Sequence, residues 1–450
     1  GLDEAVGINS VERFLGDQAL MYGWEVEPGT TTGQRVMIIG AGPTGLSAAF
    51  HLRRFGHEVT IFDANPQAGG MIRYGIPKYR MPREKLRAEV ARIEAMGVEI
   101  KLNTEIDDVL ATKQGGQFDA VFLCIGAQLP RRIEIVSDDE IPILDAISVL
   151  RDTELDNPSK LTGHVVVYGG GNTAIDVART AIRMGAISAN LIAFEAREHM
   201  PAHSFEVEEA LEEGVVLSCL RSIKQVDGRS ITLERMRATN ERWPEPTGEF
   251  ENIEADVIVQ AIGQDIDVGF LQNIPSVEIK DGTVQVDGEM RTGAEGLFAG
   301  GDMVPSIRTV TAAIGHGKKA ARNIDVYLRE EKYVPPRKHE VVTSEMLNTW
   351  YYSDAPRTVR PMLDVVRRKT GFAEVVGDLD EDNAAFEARR CMSCGNCFEC
   401  DNCYGVCPDN AITKLGPGKR FEFKYDYCKG CAMCATECPC GAIKMMPEDI

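Results

Sequence analysis

Residues 35 to 64, RVMIIGAGPTGLSAAFHLRRFGHEVTIFDA, pass from an unbroken apolar stretch through a glycine-rich turn into apolar positions at helical spacing, then into a second apolar stretch. That order predicts strand, turn, helix and strand, one βαβ unit. A second copy lies at 165 to 195, VVVYGGGNTAIDVARTAIRMGAISANLIAFE. Between them REKLRAEVARIEAMGVEI predicts a helix with Leu86, Val90 and Ile93 on one face and Gly97 as its stop. Further on come a polar hairpin-like region at 217 to 255, the strand ADVIVQAIG, the turn RTGAEGLFAGGD and a helix from Thr309 to Leu328. VPPRKHEV marks a linker, residues 345 to 390 read as mostly helical and charged, and a cysteine-rich module closes the chain.

At 450 residues and 44% hydrophobic content the chain can build several cores. Forty-nine Lys and Arg against 69 Asp and Glu give a formal charge of −20, which opposes broad contact with nucleic acid or anionic lipid. Apolar stretches such as VMIIGAGPTGLSAAF are too short and glycine-rich to span a bilayer, and no signal segment opens the sequence, so a soluble cytoplasmic protein is expected. The chain starts at Gly1 inside what reads as the middle of a segment, so an upstream part is expected to be missing. Eleven of the 13 cysteines crowd into residues 391 to 440, which suits metal thiolates in a reducing compartment better than disulfides. Cys124 and Cys219 read as small buried hydrophobes.

The first turn spells Gly40-Ala41-Gly42-Pro43-Thr44-Gly45, the G-x-G-x-x-G pattern directly after a strand. Missing side chains let the backbone approach a pyrophosphate at a helix N-terminus, and Asp63, ending the next strand, can accept bonds from ribose hydroxyls. The second turn has Gly169, Gly171, Asn172, Thr173 and Ala174, the G-x-G-x-x-A variant, with Glu195 as its acid. A carboxylate there suits the free 2′-OH of NAD(H) and repels the 2′-phosphate of NADP(H), although Arg197 follows two residues later. An ordinary solvated strand end is the bland reading of Glu195.

Cys397, Cys400, Cys403 and Cys407-Pro408 match C-x2-C-x2-C-x3-C-P, and Cys428, Cys431, Cys434 and Cys438-Pro439 match it again 31 residues on. In the two-cluster bacterial ferredoxin pattern the fourth cysteine of each run ligates the other cluster. One [4Fe–4S] cluster is therefore assigned to Cys397, Cys400, Cys403 and Cys438, and a second to Cys407, Cys428, Cys431 and Cys434. Zinc does not demand two such runs. Cys391, Cys394 and Cys440 are left over; Cys391 and Cys394 read as structural or spare thiols rather than a third cluster, and Cys440 is unassigned. A nicotinamide gives two electrons at once whereas clusters take them singly, and a flavin converts between the two, which places FAD in the first site and NAD(P) in the second.

Four motifs in order, GAGPTGLSAAFHLRRFGHEVTIFDANPQAGGMIRYGIPKYRMP, GGGNTAIDVART, MPAHSFEVEEALEEGV and GLFAGGDMVPSIRTVTAAIGHGKKAA, resemble the glutamate synthase small subunit. The same flavoprotein module occurs in dihydropyrimidine dehydrogenase and in NAD(P)H-linked ferredoxin oxidoreductases. The C-terminal module resembles the ferredoxin-like delta subunit of 2-oxoacid:ferredoxin oxidoreductases. The resemblance implies an α/β chain of two Rossmann-like dinucleotide-binding domains, the NAD(P) domain inserted into the FAD domain, plus an α+β ferredoxin-like domain. On that pattern 1–34 is the helical remnant of a cysteine-rich segment, 35–128 with 263–334 binds FAD, 129–262 binds NAD(P), 335–390 links, and 391–450 holds the clusters. It also implies that Asp302 binds the FAD ribityl chain and that Gly69 to Arg80 runs beside the flavin. Gly70, Arg73, Gly126, Gly301 and Thr309 join the candidate FAD residues, and Gly263 the NAD(P) residues. His316 is left unassigned.

Where the family places Arg after the second domain's strand, this chain reads Phe194-Glu195-Ala196-Arg197, so NAD(H) is favoured over NADP(H). The expected activity is that of an NAD(P)H:acceptor oxidoreductase subunit passing electrons between nicotinamide, FAD, two clusters and a partner, in a direction the sequence leaves open. The partner would be a catalytic subunit of a 2-oxoacid or aldehyde oxidoreductase complex, or a soluble ferredoxin. A glutamate synthase small subunit feeding an amidotransferase is the first rival. The second, a disulfide reductase, needs a redox Cys-x-x-C, yet Cys219 stands alone between 130 and 330. The third is a non-catalytic assembly subunit. Hydride transfer needs no acid or base, so no catalytic residue is nominated.

Overall fold

The computed structural model describes residues 4–138, 140–155, 157, 161–239, 243–335 and 341–447, which fall into two units. The larger comprises 23–333 with 362–376, and the smaller 1–22, 334–361 and 377–450.

Two parallel sheets organise the larger unit. The first runs in the order Leu297–Ala299, Ala120–Leu123, Arg35–Ile39, Glu58–Phe62, Glu99–Lys101. Its inner strands are mostly apolar, as strands covered on both faces are, and Met37, Ile38, Ile61, Phe122 and Leu123 are completely buried. The chain leaves this sheet after Leu123 and returns to it at Leu297. In between it builds a second parallel sheet, Val216–Ser218, Ser188–Ile192, His164–Tyr168, Val257–Gln260, Ile143–Asp145. The polar region after Ser218 forms an antiparallel meander, Arg221–Asp227, Ser230–Arg237 and Glu245–Glu254.

The helix after the first turn, Pro43–Phe55, lies against Val310–Leu328. A Cβ on Gly317 would collide with the Thr44 carbonyl and come within 2.9 Å of the Ala48 nitrogen, so a small residue is required at this crossing. Ser47 Oγ donates to the Ile314 carbonyl at 2.9 Å.

Residues 345–390 differ from the expectation of mostly helical structure. They hold the short turn Thr349–Tyr351, the end of the turn Ser344–Met346, and the helices Val365–Thr370 and Glu381–Arg389, while Pro356, Pro361, Gly371 and Gly377 fall in irregular backbone. Nor is the whole stretch a linker, because 362–376 belongs to the larger unit. The Arg368 guanidinium is 2% exposed and pairs with Glu212 at 2.7 Å, and the Val375 N–H donates to the Tyr79 carbonyl at 2.9 Å.

In the smaller unit the helix Ile8–Met21 packs on Glu381–Arg389 around Glu387, whose side chain is 0% exposed. Burial alone would raise its pKa. The Gly7 and Thr358 N–H groups, at 2.6 and 2.8 Å, and Arg390 at 2.7 Å bring it down to about 2 instead. Because this folded value lies below the ordinary 4.5, Glu387 stabilises the unit fully above about pH 4.5 and loses that contribution as pH falls towards 2. Glu387→Ala removes the carboxylate that pairs with Arg390 and accepts from the Gly7 and Thr358 N–H groups, and is expected to cost about 3 kcal/mol, checked by denaturant unfolding at pH 7. At pH 3 the same comparison should show a smaller difference.

The cysteine module is a short hairpin, Ile412–Lys414 with Phe421–Phe423, and two one-turn helices, Asn402–Val406 and Met433–Thr436. Left-handed residues precede both helices, Asp401 at φ 68° and Ala432 at φ 65°. Amide groups of Ala411 and Ala442 donate to the sulfurs of Cys407 and Cys438, each at 3.3 Å. The 31-residue repeat is thus one of backbone geometry as well as of cysteines. Among the described residues no helix is long and apolar enough to cross a membrane.

Candidate functional site

Three sites are built by the elements above. At the first turn the strand Arg35–Ile39 delivers Gly40 with φ 112°, where a Cβ would lie 2.5 Å from the Cys124 carbonyl of the neighbouring strand's end. A Cβ on Gly45 would strike the Gly40 carbonyl, so this glycine sets the close approach of helix to strand. Gly42 is different. Its backbone is extended, and a Cβ there would find only the Gly70 Cα, at 3.8 Å. Space in front of Gly42 is the place a phosphate needs, beside a helix N-terminus with Pro43 at N1 and no side-chain cap.

Asp63, 7% exposed, accepts from the Ala41 N–H at 2.6 Å and from the Asn65 N–H and side-chain amide at 2.8 and 2.9 Å. Its four acceptor positions leave room for a ribose hydroxyl. A cavity of about 670 Å³ opens beside it, lined by Gly40, Asp63, Asn65, Gly126, Gln128, Arg151 and Phe270 among others. An adjoining recess of about 40 Å³ shares Gly40, Asp63, Ile125, Gly126 and Gln128 with it and continues past Gly42, Pro43, Thr44 and Gly70 to Asp302 and Ala313. Eight of the twelve predicted FAD residues therefore line one groove: Gly40, Gly42, Pro43, Thr44, Asp63, Gly70, Gly126 and Asp302. The residues present suit an FAD: a carboxylate able to take a ribose hydroxyl, a bare turn able to take a pyrophosphate, and the half-buried Asp302, its pKa raised by burial.

Gly45, Gly301 and Thr309, also read as FAD residues, do not line the groove. Thr309 caps the helix Val310–Leu328, its Oγ1 accepting from the Ala312 N–H at 3.2 Å. Gly301, at φ 76°, donates its N–H to His316 Nδ1 at 3.2 Å. Burial lowers the pKa of His316, so the neutral ring accepts this bond and fixes the loop that carries Asp302. Arg73 points elsewhere. Its Nε donates to the Ala68 carbonyl at 2.7 Å and its guanidinium meets Glu154 at 3.3 Å, lining a separate cavity with Lys78 and Arg83. Asn65, Gln128 and Arg151 line the groove without having been read from the sequence; only Asn65, two residues past Asp63, stood within reach of a motif.

The second turn repeats the plan. Gly169 has φ 150° and no room for a Cβ beside the Ala261 carbonyl, whereas Gly171 is extended with nothing within 4 Å of a Cβ. Ala174 is fully buried, and Asn172 Oδ1 accepts from the His203 N–H at 2.9 Å. Thr173 is half-buried in the first turn of the helix, and Gly263, at φ 112°, has open space where a Cβ would stand. Glu195 folds back on the turn, so that its Oε2 lies 2.6 Å from where a Cβ on Gly170 would be. Arg197 pairs with Glu208 at 2.5 Å, both largely exposed.

A network the sequence hid sits beside this domain. Arg80 pairs with Asp176 at 2.7 Å and with Glu206, and the buried Tyr79 hydroxyl donates to the Asp176 carbonyl at 3.3 Å. Arg179 and Arg183 both grip Glu213, at 2.7 and 2.6 Å. Glu206 and Glu213 of MPAHSFEVEEALEEGV are thus structural anchors of this domain.

In the cysteine module a cavity of about 190 Å³ is lined by Cys397, Cys400, Cys403 and Cys438, with Cys440, Phe421, Phe423 and Ile443. Three thiols of the first run and the last of the second meet there. Burial pushes the Cys403 thiol up to about 11, and the charges of Cys400, Cys397 and Cys438 add to the effect. Burial also raises Cys434, with Cys428 and Cys431 near it. Among the described residues no three Cys, His, Asp or Glu side chains converge as a single ion requires, which with Zn–S bonds near 2.3 Å means sulfurs within about 4 Å. A void walled by four cysteines of the two repeating runs suits an iron–sulfur cube.

Residues 34–317 match the family described as pyridine nucleotide-disulphide oxidoreductase, and 396–442 match the 4Fe-4S dicluster domain. The NADP(+)-dependent formate dehydrogenase subunit beta of Moorella thermoacetica is 35% identical over 87% of this chain, which spans 62% of that relative's length. The NAD-dependent dihydropyrimidine dehydrogenase subunit PreT of Escherichia coli is 32% identical over 73% of this chain and 77% of its own. Among solved structures, Mycobacterium tuberculosis FprA in complex with NADPH shares the fold, with a TM-score of 0.55 at 17% identity over 67% of this chain and 87% of its own.

Proposed function

Because the chain belongs to the pyridine nucleotide-disulphide oxidoreductase family, we propose that it serves as the electron-transfer subunit of a larger oxidoreductase, joining NAD(H), FAD and two [4Fe–4S] clusters. Bound FAD would supply the exchange between two-electron hydride and single electrons. The chain's residues do the rest: Gly42 and the adjoining helix N-terminus receive the FAD pyrophosphate, Asp63 its ribose, and Gly171 with Glu195 the nicotinamide nucleotide. Cys397, Cys400, Cys403 and Cys438 would hold one cluster, and Cys407, Cys428, Cys431 and Cys434 the other.

The observation that carries this reading is the cavity that draws thiols of both cysteine runs to one void, in a chain that also has a groove for a flavin. Disulfide reduction, the chemistry the family's name suggests, lacks its reagents. Between residues 35 and 334 the sequence holds two cysteines, Cys124 and Cys219. Cys124 is buried with its sulfur 3.3 Å from the Ile39 carbonyl, and Cys219 has Met200 rather than a thiol at its sulfur. The relatives are named as subunits, which favours a catalytic partner for this chain too.

NAD(H) is the preferred nucleotide in this proposal, although the relatives' names include both kinds. Its support is Glu195, held against the turn where a 2′-phosphate would bring like charge. The kcat/KM ratio of NADH over NADPH, measured with a one-electron dye on the flavin-loaded chain, is expected to exceed one. Glu195→Gln should lower that ratio roughly tenfold, about 1.4 kcal/mol. A ratio below one in the unaltered chain, or one indifferent to the substitution, contradicts the preference.

A further inference from the structure

The 31-residue repeat of the cysteine module is broken at one chemically telling place. Cys407 corresponds to Cys438 and Pro408 to Pro439, and after the break Ala411 and Ile412 correspond to Ala442 and Ile443. Between them Asn410 and Gly441 share left-handed backbone, at φ 50° and 64°. Backbone geometry is kept, yet Asp409 stands in one copy where Cys440 stands in the other.

These two residues sit beside different clusters in very different ways. Cys440 is 2% exposed, lines the cavity shared by Cys397, Cys400, Cys403 and Cys438, and has its sulfur 3.8 Å from that of Cys438. Asp409 is half-buried two residues from Cys407, and its charge is partly met by Lys429 at 3.3 Å. When Cys438 is bonded to iron, the unligated Cys440 keeps its hydrogen and becomes the donor of an S–H···S bond. A hydrogen bond to a ligand sulfur stabilises the reduced, more negative cluster, whereas a nearby carboxylate opposes reduction. Arg420, which lines the same cavity as Cys440, acts in the same sense as the thiol.

Resting on the ligand sets proposed above, we infer that Cys440 is no iron ligand but a tuning residue. By donating to Cys438 it makes that cluster the more easily reduced of the pair, and Asp409 keeps the other at lower potential. Electrons entering the module then settle on the Cys438-ligated cluster whichever way the chain is run.

The test is an anaerobic potentiometric titration of the iron-loaded full chain, followed by electron spin resonance. Cys440→Ala should move the higher midpoint down and leave the lower one in place, while Cys440→Ser, which keeps a donor, should stay near the unaltered value. Asp409→Asn should move the lower midpoint up. If the alanine variant takes up no iron, Cys440→Val fills the same space without a donor and carries the same expectation. Midpoints unmoved in both donor-less variants overturn the inference. Cys438→Ala separates it from its premise: loss of one cluster there upholds the ligand set, whereas two intact clusters sink that set, and the inference with it.

Discussion

Cys403→Ala is expected to remove roughly half of the iron and one of two cluster signals, while NADH still bleaches the flavin at an unchanged rate. Cys403 is buried in the wall of the cavity that also receives Cys438, so its loss opens a four-thiolate set to three. Cys434→Ala should remove the other half. Cys391→Ala and Cys394→Ala should keep the full iron content, because neither belongs to the repeating runs and neither lines that cavity. Iron assay with spin resonance reads all four variants. Equal losses in the Cys391 or Cys394 variants would show that the register of the ligands is wrong.

The two glycines of the first turn should fail in opposite ways. Gly42→Val places a side chain in extended backbone with open space around it, so the fold should survive with its melting temperature within a few degrees. The isopropyl group then occupies the position of the pyrophosphate, and flavin content should drop more than tenfold. Gly45→Ala drives a methyl into the Gly40 carbonyl, a backbone atom that cannot step aside, and should destabilise the fold by about 3 kcal/mol. Flavin absorbance per chain and thermal melting together distinguish the two. Full flavin occupancy in the Gly42 variant would mean that the groove holds something other than a dinucleotide.

What the sequence disclosed and what it hid follow from the range of the interactions. Both βαβ units were legible because parallel strands buried on two faces leave unbroken apolar runs, as in VMII and VVVY, and because Gly40 and Gly169 mark turns that no other residue can make. Cluster ligands were legible because thiolate spacing is local and repeated. Arg73 was read as a flavin contact because the resemblance runs Gly69 to Arg80 beside the flavin, but its partner Glu154 is 81 positions away and turns it aside. Distance in sequence also concealed Arg368 against Glu212, which makes part of the supposed linker a piece of the nucleotide-binding unit. Charged runs such as VVRRKT look like solvated helix faces until an acid far off in the sequence claims one guanidinium.

On the proposed function, electrons pass between nicotinamide and iron through the flavin within this one chain. Anaerobic addition of NADH to the flavin- and iron-loaded full chain, with absorbance and spin resonance followed together, tests it most directly. Bleaching of the flavin accompanied by the signal of reduced [4Fe–4S] clusters is the predicted result. A flavin that bleaches while the clusters stay oxidised and silent, even though dithionite reduces them, would contradict it.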